Sequence, residues 1–374
     1  MILTNAHLVG VDGVHPGWGV HPGWIEISDG QVVGSGGGSR PGVDLGGSYL
    51  APGFVDMHVH GGGGAAFSDD PAVAVGFHRR HGTTTCLASL VTAPIDVLAR
   101  QIASLAPVVE SGVVAGIHLE GPFLAATRCG AHDPSLLRAP SPADVATLLD
   151  AGRGTVRMVT VAPELPGGPD AIREIVDGGA VAAIGHTDAT YEEACAGLAA
   201  GATVGTHLFS AMRPLHHRDP GVITALLDSD AVLELIADNV HVHPALISWV
   251  LRAAAPGRTA LITDAIAAAG QHDGDYRLGG LEVTVQGGVA RLAHGGSLAG
   301  STLTQDVALR NAVAAGVPLV DAVAALTVVP ARALGLDAGS LVVGARADVV
   351  VLSSDLSVDG VMVAGSWIVQ PSAV

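Results

Sequence analysis

The feature that most constrains this chain is a rhythm. From about Pro52 to Leu336, short apolar runs with strand character alternate with Ala- and Leu-rich segments of helical period, as βαβ units of a parallel sheet do. Strands are expected near Phe54 to Met57, Thr83 to Ala88, Val113 to Leu119, Val156 to Val161, Val181 to Ile184, Thr203 to Thr206, Leu233 to Ala237 and Ala260 to Thr263. Eight such units predict an α/β fold, a (β/α)8 barrel of the TIM type.

The flanks read differently. Residues 2–9, 24–33 and 43–50 look like short strands between Gly, Pro and Asp turn signals, and LVVGARADVVVL and VDGVMVAGSWIV near the other end have the same style. At 374 residues the chain exceeds what one core usually holds. Residues 1–51 and 337–374 are therefore expected to form a small β-sandwich domain, leaving 52–336 to the barrel. The segment YRLGGLEVTVQGGVARLAHGG reads as a hairpin with a GG turn, placed to cover the barrel mouth before final helices that begin near Ser301.

Barrel enzymes carry their reacting groups at the carboxyl ends of the strands. Such positions hold His58 and His60 after the first expected strand, Glu120 after the third, His186 after the fifth, His207 after the sixth and Asp264 after the eighth. A two-residue spacing along an extended segment turns His58 and His60 to the same side, and HGGGG after them removes side-chain bulk beside the pair. An HxH alone is weak evidence, since HVH recurs at His241 and His243, where a helix start is expected. Four histidines and two carboxylates at equivalent places of one architecture are stronger, and match nitrogen and oxygen ligation of zinc, iron(II), manganese or cobalt. Asp264 can take the proton of a water beside such a metal; the competing reading is a helix N-cap.

Composition removes other classes. All 18 basic residues are arginine, which excludes Schiff-base lysines, Walker-A loops and carbamylated-lysine metal bridges. A formal charge of -17 is unfavourable for nucleic acid. No apolar run reaches the length of a membrane span. The start, MILTNAHLVG, has no positive charge before Arg40 and no cleavage-site pattern, so a cytoplasmic location is expected. Cys86, Cys129 and Cys195 show no CxxC spacing, which argues against a disulfide framework or a cysteine-bound zinc.

The segments APGFVDMHVHGGGG, HGTTTCLASL, GIHLEGPFL, GAHDP, VTVAPE, AIGHTDATYEEA, THLFSAMRPLHHRDPG, LIADNVHVHP, LITDAIAAAG and GGSLAGSTLT together resemble the bacterial N-acetylglucosamine-6-phosphate deacetylase family of the amidohydrolase superfamily. The resemblance runs almost end to end; HLEGPF and HLFSAM with its downstream RDPG are its most specific parts. It implies that Glu120, His186 and His207 hold the main divalent metal and that Asp264 is the catalytic acid and base. Glu120 then stands where other superfamily members use a carbamylated lysine, in keeping with a chain that has none. Because His58 and His60 are present, two ions per subunit bridged by Glu120 are expected, zinc first among the candidates.

By the same resemblance His132 polarises the scissile carbonyl, although the residues alone also allow a loop histidine in solvent. His241 is implied to contact sugar hydroxyls, and Arg218 to hold the phosphate across the interface of a homodimer. Backbone amides at Ser210 and Ala211 would supply further donors. One departure is visible: Ser210 occupies the place of an asparagine that contacts phosphate in the family, and a hydroxyl reaches less far. Cys129, in RCGAHDP, either modulates a mobile lid or is an inert thiol. The implied reaction is deacetylation of N-acetylglucosamine 6-phosphate to glucosamine 6-phosphate and acetate, in amino-sugar catabolism and cell-wall recycling. The alternatives are the same cleavage on N-acetylgalactosamine 6-phosphate, and a non-catalytic sugar-phosphate binding protein.

Overall fold

The computed structural model describes residues 1–10 and 19–372. Eight parallel strands form its centre: β1 (Phe54–Asp56), β2 (Thr83–Val91), β3 (Gly116–Glu120), β4 (Val156–Val161), β5 (Val181–Ile184), β6 (Val204–Gly205), β7 (Val232–Ile236) and β8 (Thr259–Ile262). They pair in sequence order from β1 to β8. Among the described residues no ladder joins β8 to β1. Instead the Asp264 amide donates to the His58 carbonyl at 2.9 Å, and the buried Asp56 carboxyl accepts the Thr263 hydroxyl at 2.6 Å. This barrel is the expected (β/α)8 fold.

The strands are mostly apolar because both faces are covered; Val232–Ile236 and Thr259–Ile262 are buried at every residue. The surrounding helices bury one stripe each. Ile95–Glu110 turns Leu98, Ile102, Leu105 and Ala106 inward, a spacing that places them on one face. Tyr191–Ala199 is started by a reciprocal capping box between Thr190 and Glu193.

The two chain ends meet in one eight-stranded sheet, in the order Ser366–Val369, Val358–Val363, Val349–Leu352, Tyr49–Pro52, Ile2–Val9, Val20–Ser28, Gln31–Gly37, with Val43–Asp44 paired to Ile2–Val9. It has a separate core that includes Leu3, Ile25, Leu50, Val349 and Met362.

Two local expectations change. The insert after β8 is a three-stranded meander, Gly274–Leu278, Leu281–Gln286 and Val289–Leu292, because its two Gly-Gly pairs each make a turn. Its inner face packs Leu278, Val283, Val285 and Ala290 on Ile266, Ala268 and Ala299. The helix expected near Ser301 starts at Gln305; Ser301 instead ties down the β8 end, its amide donating to the Asp264 carbonyl at 2.8 Å. The glycines after His60 make room for a helix: a Cβ at Gly62 would lie 2.5 Å from Phe77 and 2.7 Å from the His78 ring.

Candidate active site

Every candidate ligand lies at the carboxyl end of a barrel strand. Glu120 ends β3, while His58 and His60 follow β1, His186 follows β5, His207 follows β6 and Asp264 follows β8. All six are buried. Three of them bend sharply inward: His186, His207 and Asp264 have φ of 48°, 25° and 51°. Non-glycine residues hold such backbone only where surrounding contacts over-determine it, and they cluster at functional sites. Here the His186 carbonyl accepts the Ala125 amide and the Asp264 amide reaches His58, each at 2.9 Å. Asp264 caps no helix, which removes the competing reading of that residue.

The Glu120 carboxylate is the centre. Its Oε1 lies 2.9 Å from His207 Nε2 and 3.0 Å from His186 Nε2. Its Oε2 lies 3.2 Å from His60 Nε2 and 3.4 Å from His132 Nε2. Asp264 Oδ1 is 3.1 Å from His60 Nε2 and 3.5 Å from His58 Nε2. Ligand atoms about 2.1 Å from one tetrahedral ion stand roughly 3.4 Å apart, so these separations are those of a coordination shell.

The imidazoles are turned the right way for it. His60 Nδ1 faces the Ser89 carbonyl at 3.3 Å and His186 Nδ1 the Arg128 carbonyl at 2.9 Å. A carbonyl only accepts, so each ring keeps a hydrogen on Nδ1 and, in its neutral form, points a bare Nε2 at the centre. Two Nε2 pairs stand face to face, His58 with His60 at 3.2 Å and His186 with His207 at 3.1 Å. Facing lone pairs are stable around a cation. Two sets, His58, His60, Glu120 and Asp264, and Glu120, His132 and His186, bring ligand atoms close enough to share an ion.

The electrostatics agree. Burial opposes charge on His58 and His60, but the neighbouring carboxylates outweigh it, raising His58 well above its ordinary value and His60 to about 9. Burial works against ionisation of Glu120 and Asp264 too, and the histidines reverse it, holding both carboxyls low. The cluster is built to surround positive charge, and its residues fit a divalent metal.

The chain matches the model of the amidohydrolase family over residues 49–368. It is 42% identical to an N-acetylgalactosamine-6-phosphate deacetylase of Escherichia coli O157:H7 over 84% of this chain and 86% of that one. It is 38% identical to an N-acetylglucosamine-6-phosphate deacetylase of Vibrio furnissii over 86% and 84% respectively. A solved N-acetyl-D-glucosamine-6-phosphate deacetylase mutant of Mycobacterium smegmatis, in complex with N-acetyl-D-glucosamine 6-phosphate, superposes with a TM-score of 0.95 at 49% identity, over 99% of each chain. This chain belongs to the amidohydrolase family.

As in other barrels, the amidohydrolase site opens at the mouth. A cavity of about 430 Å³ is lined by His60, Glu120, Arg128, His132, His186, His207, Ser210, Ala211, His241 and Asp264, with Leu278 of the meander and Leu298 above them. His132 is a buried residue rather than a loop histidine in solvent. Its Nδ1 accepts from the Thr92 amide at 3.4 Å and lies 2.9 Å from the Thr92 hydroxyl, so the ring hydrogen sits on Nε2, facing Glu120 and the cavity. Burial lowers its pKa and favours the neutral ring.

Among the expected substrate residues, Ser210, Ala211 and His241 reach this cavity. The Ser210 amide, however, is already committed, donating to the His207 carbonyl at 3.0 Å; its hydroxyl is what remains to offer. The Ala211 amide has no partner among the described residues. His241 is held by Asp238, Nδ1 to Oδ2 at 2.7 Å; burial disfavours its charge, but the Asp238 carboxylate outweighs that and raises its pKa. Arg218 is apart from the rest: it is exposed on the 213–220 segment, 2.8 Å from His217 Nε2. Cys129 contributes its carbonyl, which accepts the His132 amide at 3.0 Å.

Sequence reasoning missed Glu234, Asp238, Arg128 and Thr92. Glu234 had a signal, a lone acid inside the apolar run AVLELIA. Asp238 stands three residues before His241, a spacing that could have been tested. The carbonyl of Arg128 and the amide of Thr92 act through the backbone, which no side-chain pattern reveals.

Proposed function

We propose that this chain hydrolyses the acetamide of N-acetylglucosamine 6-phosphate to glucosamine 6-phosphate and acetate, in amino-sugar catabolism and cell-wall recycling in the cytoplasm. The observation that carries this reading is Asp264 and His132 lining one cavity with the Glu120 carboxylate, Asp264 against His60 and His132 against Glu120 Oε2, in a chain 49% identical to a deacetylase solved with that substrate.

His58, His60, Glu120, His186, His207 and Asp264 would hold two divalent ions per subunit, zinc first among zinc, iron(II), manganese and cobalt, with Glu120 common to both. When bound, such ions lower the pKa of water and polarise a carbonyl. The chain's own groups do the rest. Asp264 takes the proton of the attacking water, and His132 Nε2–H donates to the carbonyl oxygen as negative charge develops there. As the C–N bond breaks, Asp264 returns the proton to the leaving nitrogen.

The Ala211 amide and Ser210 hydroxyl would receive the phosphate, and His241, steadied by Asp238, a sugar hydroxyl. Arg218, exposed on its own subunit, would complete the phosphate site of a partner in a homodimer. The 42% relative favours a second substrate, the galactose epimer.

The test is acetate release by the zinc-loaded protein from N-acetylglucosamine 6-phosphate, its unphosphorylated form and N-acetylgalactosamine 6-phosphate. Preference for the first supports the reading; preference for the third reassigns the epimer. No release from any of them, with metal bound, removes the deacetylase reading.

A further inference from the structure

Glu234 lies in the middle of β7, fully buried, between Leu233 and Leu235 of the apolar core. A carboxyl group placed there costs several kcal/mol unless its hydrogen bonds are made, so such a residue is kept for what it holds. Its Oε2 meets His58 Nδ1 at 3.0 Å and accepts the backbone amide of His207 at 3.2 Å. Its Oε1 has no partner among the described residues.

Both partners approach Glu120 Oε1, His58 Nε2 at 3.5 Å and His207 Nε2 at 2.9 Å, but they belong to different groups of the cluster. His58 belongs to the group with His60 and Asp264, His207 to the group with His186. Among the four candidate metal-ligand histidines, the three with an engaged Nδ1 also differ in what engages them. His60 and His186 use carbonyls, of Ser89 and Arg128, which are fixed by the backbone. His58 alone uses a side chain. A carboxyl acceptor on the outer nitrogen fixes the tautomer and makes the inner nitrogen a better ligand.

We infer that Glu234 is a positioning residue that sets cation affinity on the His58 and His60 side of the cluster. This rests on the reading above that the cluster holds two divalent ions. Without Glu234, His58 has no acceptor to keep its hydrogen on Nδ1, and Nε2 is no longer held as a bare ligand atom. His60 and His186 keep their own Nδ1 partners, and His207 loses only a backbone anchor, so an ion held by His186 and His207 would be affected less. The amide bond to His207, whose φ is 25°, is a shared anchor, and a glutamine can preserve it: its side-chain oxygen accepts from both His58 and His207.

The test uses Glu234→Gln and Glu234→Leu in the full-length protein. Zinc stoichiometry is measured after dialysis against buffered zinc, the two affinities by chelator competition, and the cobalt(II) form by its visible spectrum. Wild type is expected to bind two equivalents. Glu234→Gln should keep the tighter site and weaken the other about 10- to 100-fold, and Glu234→Leu should retain one equivalent with the spectrum of a singly loaded site. Equal weakening of both sites, or two equivalents at wild-type affinity in both variants, overturns the proposal. Unfolding of Glu234→Leu leaves the decision to the near-isosteric glutamine. One equivalent in the wild type overturns the two-ion reading and this proposal with it, whereas two equivalents and unchanged variants overturn this proposal alone.

Discussion

In the proposed reaction Asp264 and His132 would divide the proton work through their surroundings. Asp264 is kept ionised by His60 and His58 against the cost of burial, so it is ready to accept a proton. His132 is kept neutral by burial and oriented by Thr92, so it is ready to donate a hydrogen bond. Asp264→Asn is expected to lower kcat by about 10³-fold with KM changed only a few-fold, since proton transfer is worth roughly 10²- to 10⁴-fold. A loss under tenfold, at wild-type metal content, would assign the proton to another group. His132→Ala should cost about 10²-fold or more in kcat, measured as initial rates at saturating substrate; an effect confined to KM would make His132 a binding residue.

At the scale of elements, the helix Gln305–Ala314 is pinned to the end of the Pro71–Arg80 helix by Asp306. Its carboxylate meets His81 Nδ1 at 3.2 Å, the Thr304 hydroxyl at 2.6 Å and Arg310 Nη2 at 3.1 Å. Burial raises its pKa, but His81, Thr304 and Arg310 outweigh that and bring it to about 2, against 3.8 ordinarily. A folded value below the unfolded one means the stabilisation is present above pH 4 and fades as pH falls toward 2. Asp306→Asn is therefore expected to destabilise by about 2 kcal/mol at pH 6, with the gap to wild type narrowing below pH 4. Urea unfolding across that range checks it; a constant gap would show that Asp306 acts through packing and not charge.

These elements also show where the sequence was readable. β4 and β5 were legible to the residue, since apolar runs bounded by glycine and helical pattern leave little choice. The meander was underread, because one GG pair is as good a turn as another until strand register is known. Arg128 and Ser89 were invisible as partners of His186 and His60: their carbonyls matter only once strands far apart in sequence stand side by side.

For the whole molecule, the packing of facing imidazoles and carboxylates at about 3 Å predicts coupling between metal and fold. Stripping the metal with a chelator should abolish turnover and lower Tm by roughly 5 to 10 °C, as for loss of a tightly bound ligand in a domain this large, and zinc should restore both. An unchanged Tm would mean the cluster is stable without a cation. The homodimer reading has its own test. Arg218→Ala and Asp264→Asn, each nearly inactive alone, should regain activity when their subunits are mixed, because a mixed dimer contains one site with both residues intact. No recovery on mixing would place Arg218 outside its partner's site.

By itself the sequence determined the barrel, the six candidate ligands and the family, because period and motif are local properties and strand ends are repeated places in a known architecture. It could not decide how the ligands are held. The tautomers of His60, His186 and His132, the left-handed backbone of His207 and Asp264, and the carboxyl of Glu234 beneath His58 arise from contacts between strands many residues apart. Only closing the barrel brings those groups within hydrogen-bonding distance, and that closure turns a list of histidines and acids into a cluster shaped for cations.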